Sequence, residues 1–126
     1  MERCVLLILI TVPGKVIIHS LAGIFADSIE PKDKDNIISK EGESVTLSCT
    51  YDTSSNNILL YWYRQYPNKD PQYLLYKGAR SWSNNRNTAD HRFQSITSES
   101  STELTTDSVT LSDSALYYCA LRVEAQ

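Results

Sequence analysis

Cysteines, histidines and paired carboxylates are the side chains from which covalent, metal and acid–base chemistry is built, and this 126-residue chain holds few of them. Its cysteines are Cys4, Cys49 and Cys119; its histidines are His19 and His91. Residues 1–26 read as a secretory leader. Glu2 and Arg3 precede an apolar run from Cys4 to Val12, and small residues close the segment, with cleavage after Ala26 or, alternatively, after Ala22. The uninterrupted apolar run is too short to span a membrane. Removing the leader takes away Cys4 and His19. The one histidine left is too little for a His-based zinc cluster or a Ser/His/Asp relay. An even pair of cysteines in an exported chain is, by contrast, what a structural disulfide requires. Asp33/Asp35 and Asp107/Asp113 are carboxylate pairs in sequence, yet nothing sets them in an apolar cleft suited to glycoside chemistry. The glycines do not cluster into a phosphate-binding loop, and no asparagine begins a glycosylation sequon. The expectation is a protein that is not an enzyme and uses no metal and no cofactor.

The elements that must position these residues are short and strand-like. At 41% hydrophobic residues and a formal charge of −3, the chain suits one globular domain, residues 27–126, and shows no basic patch for nucleic acid. Pro31, inside the charged cluster 30–35, predicts an edge strand or an irregular lead-in. Residues 44–50 alternate with period two, placing Val45, Leu47 and Cys49 on one inward face. The run 52–57 (DTSSNN) is a turn-former cluster and predicts a loop. Residues 59–65 return to a strand with Leu60 and Trp62 inward and Tyr61, Tyr63 and Gln65 outward. Residues 71–76 form the next strand, and 77–87 predict a second polar loop. Its Trp82 either anchors a ligand or covers the neighbouring strand. A hairpin over 95–109 should turn Leu104 and Val109 inward; Thr106 there implies either an altered register or a weaker core.

Cys49-Thr50-Tyr51, residues 60–67 (LYWYRQYP), 71–76 (PQYLLY) and 113–121 (DSALYYCAL) together resemble a T-cell receptor variable segment of the alpha type, a group partly shared with delta. The resemblance runs from about Ile37 to Leu121. It implies an all-β fold, the variable-type immunoglobulin Greek-key sandwich, with Cys49 and Cys119 bridging the two sheets and Trp62 packed on the bridge. Tyr117 would be the corner tyrosine, its hydroxyl bonding back to the backbone upstream. Arg92 would pair with Asp113 as a structural ion pair. One departure concerns the end of the chain. No Phe-Gly-x-Gly follows Cys119, so the final G strand is expected to be missing and the edge of the Cys119 strand to be an aggregation liability.

The resemblance also implies two working surfaces. Tyr63, Gln65, Pro71 and Tyr118 would form a chain-pairing surface against a T-cell receptor beta (or gamma) chain. Antigen-contact loops would carry Thr53, Ser54, Ser55, Asn56 and Asn57, then Lys77, Gly78, Ala79, Arg80, Ser81 and Trp82, and finally Leu121 and Arg122. Such side chains bind adaptably at low ordering cost. The implied ligand is peptide displayed on a major histocompatibility molecule, at the extracellular face of the plasma membrane. Signalling subunits would be reached only through regions outside this sequence. A stand-alone V-type adhesion or inhibitory receptor is the alternative of a different class. An antibody light chain is disfavoured by residues 66–69 (YPNK) and 119–121 (CAL).

Overall fold

The computed structural model describes residues 2–11, 27–33 and 36–123. Two antiparallel-dominated sheets face each other. The four-stranded sheet has the order β2 (Ser28–Pro31), β4 (Val45–Asp52), β9 (Ser101–Thr106), β8 (Phe93–Thr97). The six-stranded sheet has the order β3 (Ile37–Ile38), β1 (Glu2–Thr11), β10 (Ala115–Val123), β5 (Asn57–Gln65), β6 (Gln72–Arg80), β7 (Arg86–Thr88). Period-two alternation sends Val45, Leu47, Cys49 and Tyr51 of β4 inward, opposite Trp62, Tyr117, Cys119 and Leu121 from the other sheet. Pro31 sits on β2, at the edge of its sheet, where a missing N–H does least harm.

Cys49 and Cys119 form the inter-sheet disulfide, closing 70 residues of chain. Trp62, the Cα partner of Cys119, is fully buried, and its indole Nε1 donates to Thr102 Oγ1 at 3.2 Å. The Tyr117 hydroxyl donates to the Asp113 carbonyl at 2.8 Å, closing the turn that begins with the 3-10 segment Leu111–Asp113. Thr106 follows the regular register, opposite Val45 and Phe93. The alternative of an altered register is therefore corrected: its side chain points into the core, 3% exposed, and its hydroxyl has no hydrogen-bond partner among the described residues.

Three sequence expectations change. β6 runs through Arg80, so residues 77–80, read as loop, belong to a strand; the loop is only 81–85. β6 is extended because residues 77–80 pair antiparallel with β5, from Lys77↔Leu60 to Arg80↔Asn57, while residues 86–88 fold back on residues 75–77. Gly78 permits the tight return, since a Cβ there would collide with the Trp82 carbonyl. β10 likewise continues through Val123, which makes Leu121 a buried strand residue opposite Leu60, not part of a loop. Finally, in the full chain the edge of β10, expected to be open in residues 27–126 alone, is paired along its backbone with β1, antiparallel from Glu2↔Arg122 to Ile10↔Ala115. An unpaired row of backbone N–H and C=O groups is a template for any apolar strand within reach, and residues 2–11 are one. This is the stretch read as leader; both expected cleavage positions, Ala22 and Ala26, lie outside the described residues. No strand follows β10 among the described residues.

Candidate functional site

The outward face of β5, β6 and β10 concentrates aromatic surface. Tyr61 lies 6.2 Å from Tyr63, 6.3 Å from Tyr73 and 5.2 Å from Tyr76, centroid to centroid, and Tyr63 meets Tyr73 edge-on at 5.9 Å. These are the separations at which ring quadrupoles attract. A register shift between Trp62 and Tyr63 builds the cluster. Without it, Tyr73 and Tyr76, three residues apart, would point to opposite sides of the sheet. With it both face outward, and Leu74 and Leu75 between them are both buried. Burial, reinforced by the neighbouring tyrosines, pushes the Tyr73 phenol up to about 12, so it remains a neutral donor, and it donates to Asn87 Oδ1 at 2.7 Å.

Of the residues assigned to this face from sequence, Tyr63 belongs to the cluster and Tyr118 lies on the neighbouring strand, opposite Tyr63. The Tyr118 hydroxyl donates to Gln65 Oε1, and Gln65 Nε2 donates to the Lys69 carbonyl at 3.0 Å. Pro71 is exposed at the foot of the same sheet. Tyr61, Tyr73 and Tyr76 were not assigned. Tyr61 was legible from its outward position in the strand, whereas the other two required the bulge.

The loop end is held by Arg80. Its Nη1 donates to the carbonyls of Thr53 at 2.6 Å and Ser55 at 2.8 Å, and its Nη2 donates to the Glu99 carbonyl at 2.6 Å. The guanidinium also lies 5.3 Å over the Tyr51 ring and 3.3 Å from the Glu99 carboxylate. Arg80 adopts φ 58°, a left-handed conformation uncommon outside glycine and asparagine, and these bonds hold it there. One side chain thus ties the 53–56 loop, the β6–β7 turn and the β8–β9 turn together.

The other loop residues divide by exposure. Thr53 is buried, and its hydroxyl donates to Asp27 Oδ1 at 2.7 Å. Ser55 accepts from the Asn57 amide at 3.1 Å and shapes the loop. Ser54, Asn56 and Ser81 present exposed side chains; Asn57 and Trp82 are half-buried. The Trp82 backbone forms the turn that Gly78 admits, with its carbonyl accepting from Asn85 N at 2.9 Å. Arg122 is exposed, and its Nη1 donates to the Tyr61 hydroxyl at 3.2 Å, joining the loop end to the tyrosine face. Lys77, Gly78 and Ala79 lie within β6, the latter two buried.

At the opposite end Arg92 and Asp113 form a bidentate pair, Nη1 to Oδ1 at 2.8 Å and Nη2 to Oδ2 at 3.0 Å. The Arg92 fork holds the Asp113 carboxyl below its ordinary range against the opposing effect of burial, helped by the Thr110 amide at 2.9 Å. Among the described residues no group of three or more His, Cys, Asp or Glu is arranged to hold a metal ion.

Comparison with known proteins agrees with this geometry. Residues 32–126 match the immunoglobulin V-set domain model. The chain is 37% identical over 108 residues to human (Homo sapiens) T cell receptor alpha variable 3, covering 83% of this chain and 90% of that protein. It belongs to the T cell receptor alpha variable family of immunoglobulin V-set domains. A further human relative, T cell receptor alpha variable 18, is 49% identical over 84 residues, 65% of this chain and 70% of the relative. The rabbit (Oryctolagus cuniculus) T-cell receptor alpha chain V region RL-5 is 42% identical over 88 residues, 68% and 62% respectively. In this V-set domain the disulfide, Trp62 and Tyr117 build the frame, and the tyrosine face and the Arg80-tied loops are what the frame presents.

Proposed function

We propose that this domain is the alpha-type (or delta-type) variable half of an antigen receptor. It would pair through its tyrosine face with a beta-type (or gamma-type) variable domain and read peptide on a major histocompatibility molecule with its loop end. The observation that carries the reading is the cluster of four partly exposed tyrosine rings on one sheet face, adjoining the Tyr118–Gln65 hydrogen bond. Aromatic side chains enrich the cores of protein interfaces, because each covers large area with little rotamer entropy to lose. The loops bound to Arg80 lie at one end of the same sheet, so a partner on the tyrosine face would set a second group of loops beside them. The role is recognition at the cell surface without catalysis.

The test is co-expression with a beta-type chain. Replacing Gln65 and Tyr118 together by alanine should lower heterodimer yield about tenfold or more, as loss of a central interface contact of about 2 kcal/mol implies. The variant's own thermal transition should be retained. Unchanged heterodimer yield would refute the assignment of this face.

A further inference from the structure

A concave region lies where the terminal strands of the two sheets, β7 and β8, diverge. It is a cleft of about 380 Å³. Lys77 and Arg86 line it as direct cross-strand Cα partners, and His91 lines it from the turn before β8. Like charges set directly opposite each other on neighbouring strands are destabilising unless something between them carries the opposite sign. None of the lining residues is acidic.

The usual internal compensation is missing. Among the described residues Arg86 forms no ion pair. Among the described residues half-buried Lys77 reaches the Ser95 carbonyl, with Nζ donating at a long 3.4 Å. Asp90, the carboxylate adjacent to His91 in the chain, is engaged by Arg64 at 3.7 Å and by the Arg92 amide at 3.1 Å. Thr88 adds a hydroxyl to the same lining. The chain as a whole is acidic, at −3, so this concentration of cations is local and not a consequence of overall charge.

We infer that the β7–β8 cleft is a binding site for a tetrahedral oxyanion, a sulfate or phosphate group, held between Lys77 and Arg86. Four oxygens directed to different corners can meet an ammonium from β6 and a guanidinium and a hydroxyl from β7, which a planar carboxylate does less well. Charge-assisted hydrogen bonds of this kind are the strong ones. The same chemistry arrives either as the free inorganic anion or as a sulfate ester on an extracellular polysaccharide. The inference does not rest on the pairing proposal: the groups it uses, Lys77, Arg86 and Thr88, lie on β6 and β7.

The experiment is a titration of the full chain with sodium sulfate and with sodium phosphate. Ionic strength is held constant with sodium chloride, and the Lys77 and Arg86 side-chain resonances are followed by NMR. Saturable shifts in the millimolar range are expected with both oxyanions and not with chloride. Arg86→Ala, at an exposed edge-strand position, should keep the fold by circular dichroism and weaken binding about tenfold, the loss of one charge-assisted bond. Lys77→Gln should do the same. A heparin-derived hexasaccharide that competes with sulfate at tighter concentration assigns the site to sulfated glycan; one that does not compete assigns it to the free anion. Shifts that fail to saturate, that chloride reproduces, or that survive Arg86→Ala with a normal fold overturn the site.

Discussion

Replacing Arg92 by alanine tests how far one ion pair supports this sandwich. The Asp113 side chain is 1% exposed, while that of Arg92 is 48% exposed, so the substitution strips a buried carboxylate of its counter-charge and admits some water in its place. Breaking a fully buried pair costs about 3–5 kcal/mol. Here the open side of Arg92 and the surviving Thr110 amide on Oδ2 reduce that to about 2–3 kcal/mol. For a domain of this size each kcal/mol lowers Tm by about 4–8 °C, so the transition should fall on the order of 10–20 °C. The pH dependence fixes the cause. Asp113 titrates lower in the folded protein than in the unfolded chain, so its stabilisation is complete above the unfolded value near 3.9 and disappears as pH falls through the lowered folded value. Thermal melts followed by circular dichroism should therefore show a large gap between parent and Arg92→Ala at pH 7 that closes in acid. Arg92→Lys should recover part of it, because an ammonium keeps the charge and loses the two-pronged geometry. Equal Tm values at pH 7, or a gap indifferent to acid, would refute this account.

Two further substitutions probe the core. Thr106→Val replaces a buried hydroxyl that has no partner by a methyl of similar volume, and should raise stability by about 1 kcal/mol in urea denaturation. Tyr117→Phe removes the hydroxyl that donates to the Asp113 carbonyl and leaves that acceptor buried. It should cost about 1–2 kcal/mol by the same measurement.

The frame was readable because its residues combine rare types with fixed order. Cys49, Trp62, Tyr117 and Cys119 each have one place to go once two sheets must be joined through a core. Period-two alternation around Val45 and Leu47 supplied the faces. The extent of β6 was not readable, because residues 77–80 combine a lysine, a glycine and an arginine in polar-looking text. Their strand character comes from pairing with residues 57–60 of β5, a tertiary fact. Tyr73 and Tyr76 were hidden for a related reason: strict alternation forbids both from facing outward, and only the register shift beside Trp62 permits it. The burial of Leu121 depends on β10 running on past the cysteine, which no local preference announces.

Arg80 carries a consequence for variation among such domains. Because its guanidinium holds three carbonyls, two from the 53–56 loop and one from the β8–β9 turn, and carbonyls belong to the backbone whatever the side chain, the outward residues at Ser54, Asn56 and Ser81 can be exchanged without loosening the mount. Changing the length of either turn is another matter, since it would pull its carbonyls out of reach and slacken the rest. Chemical diversity at this end is cheap, and geometric diversity there is bound to a single residue.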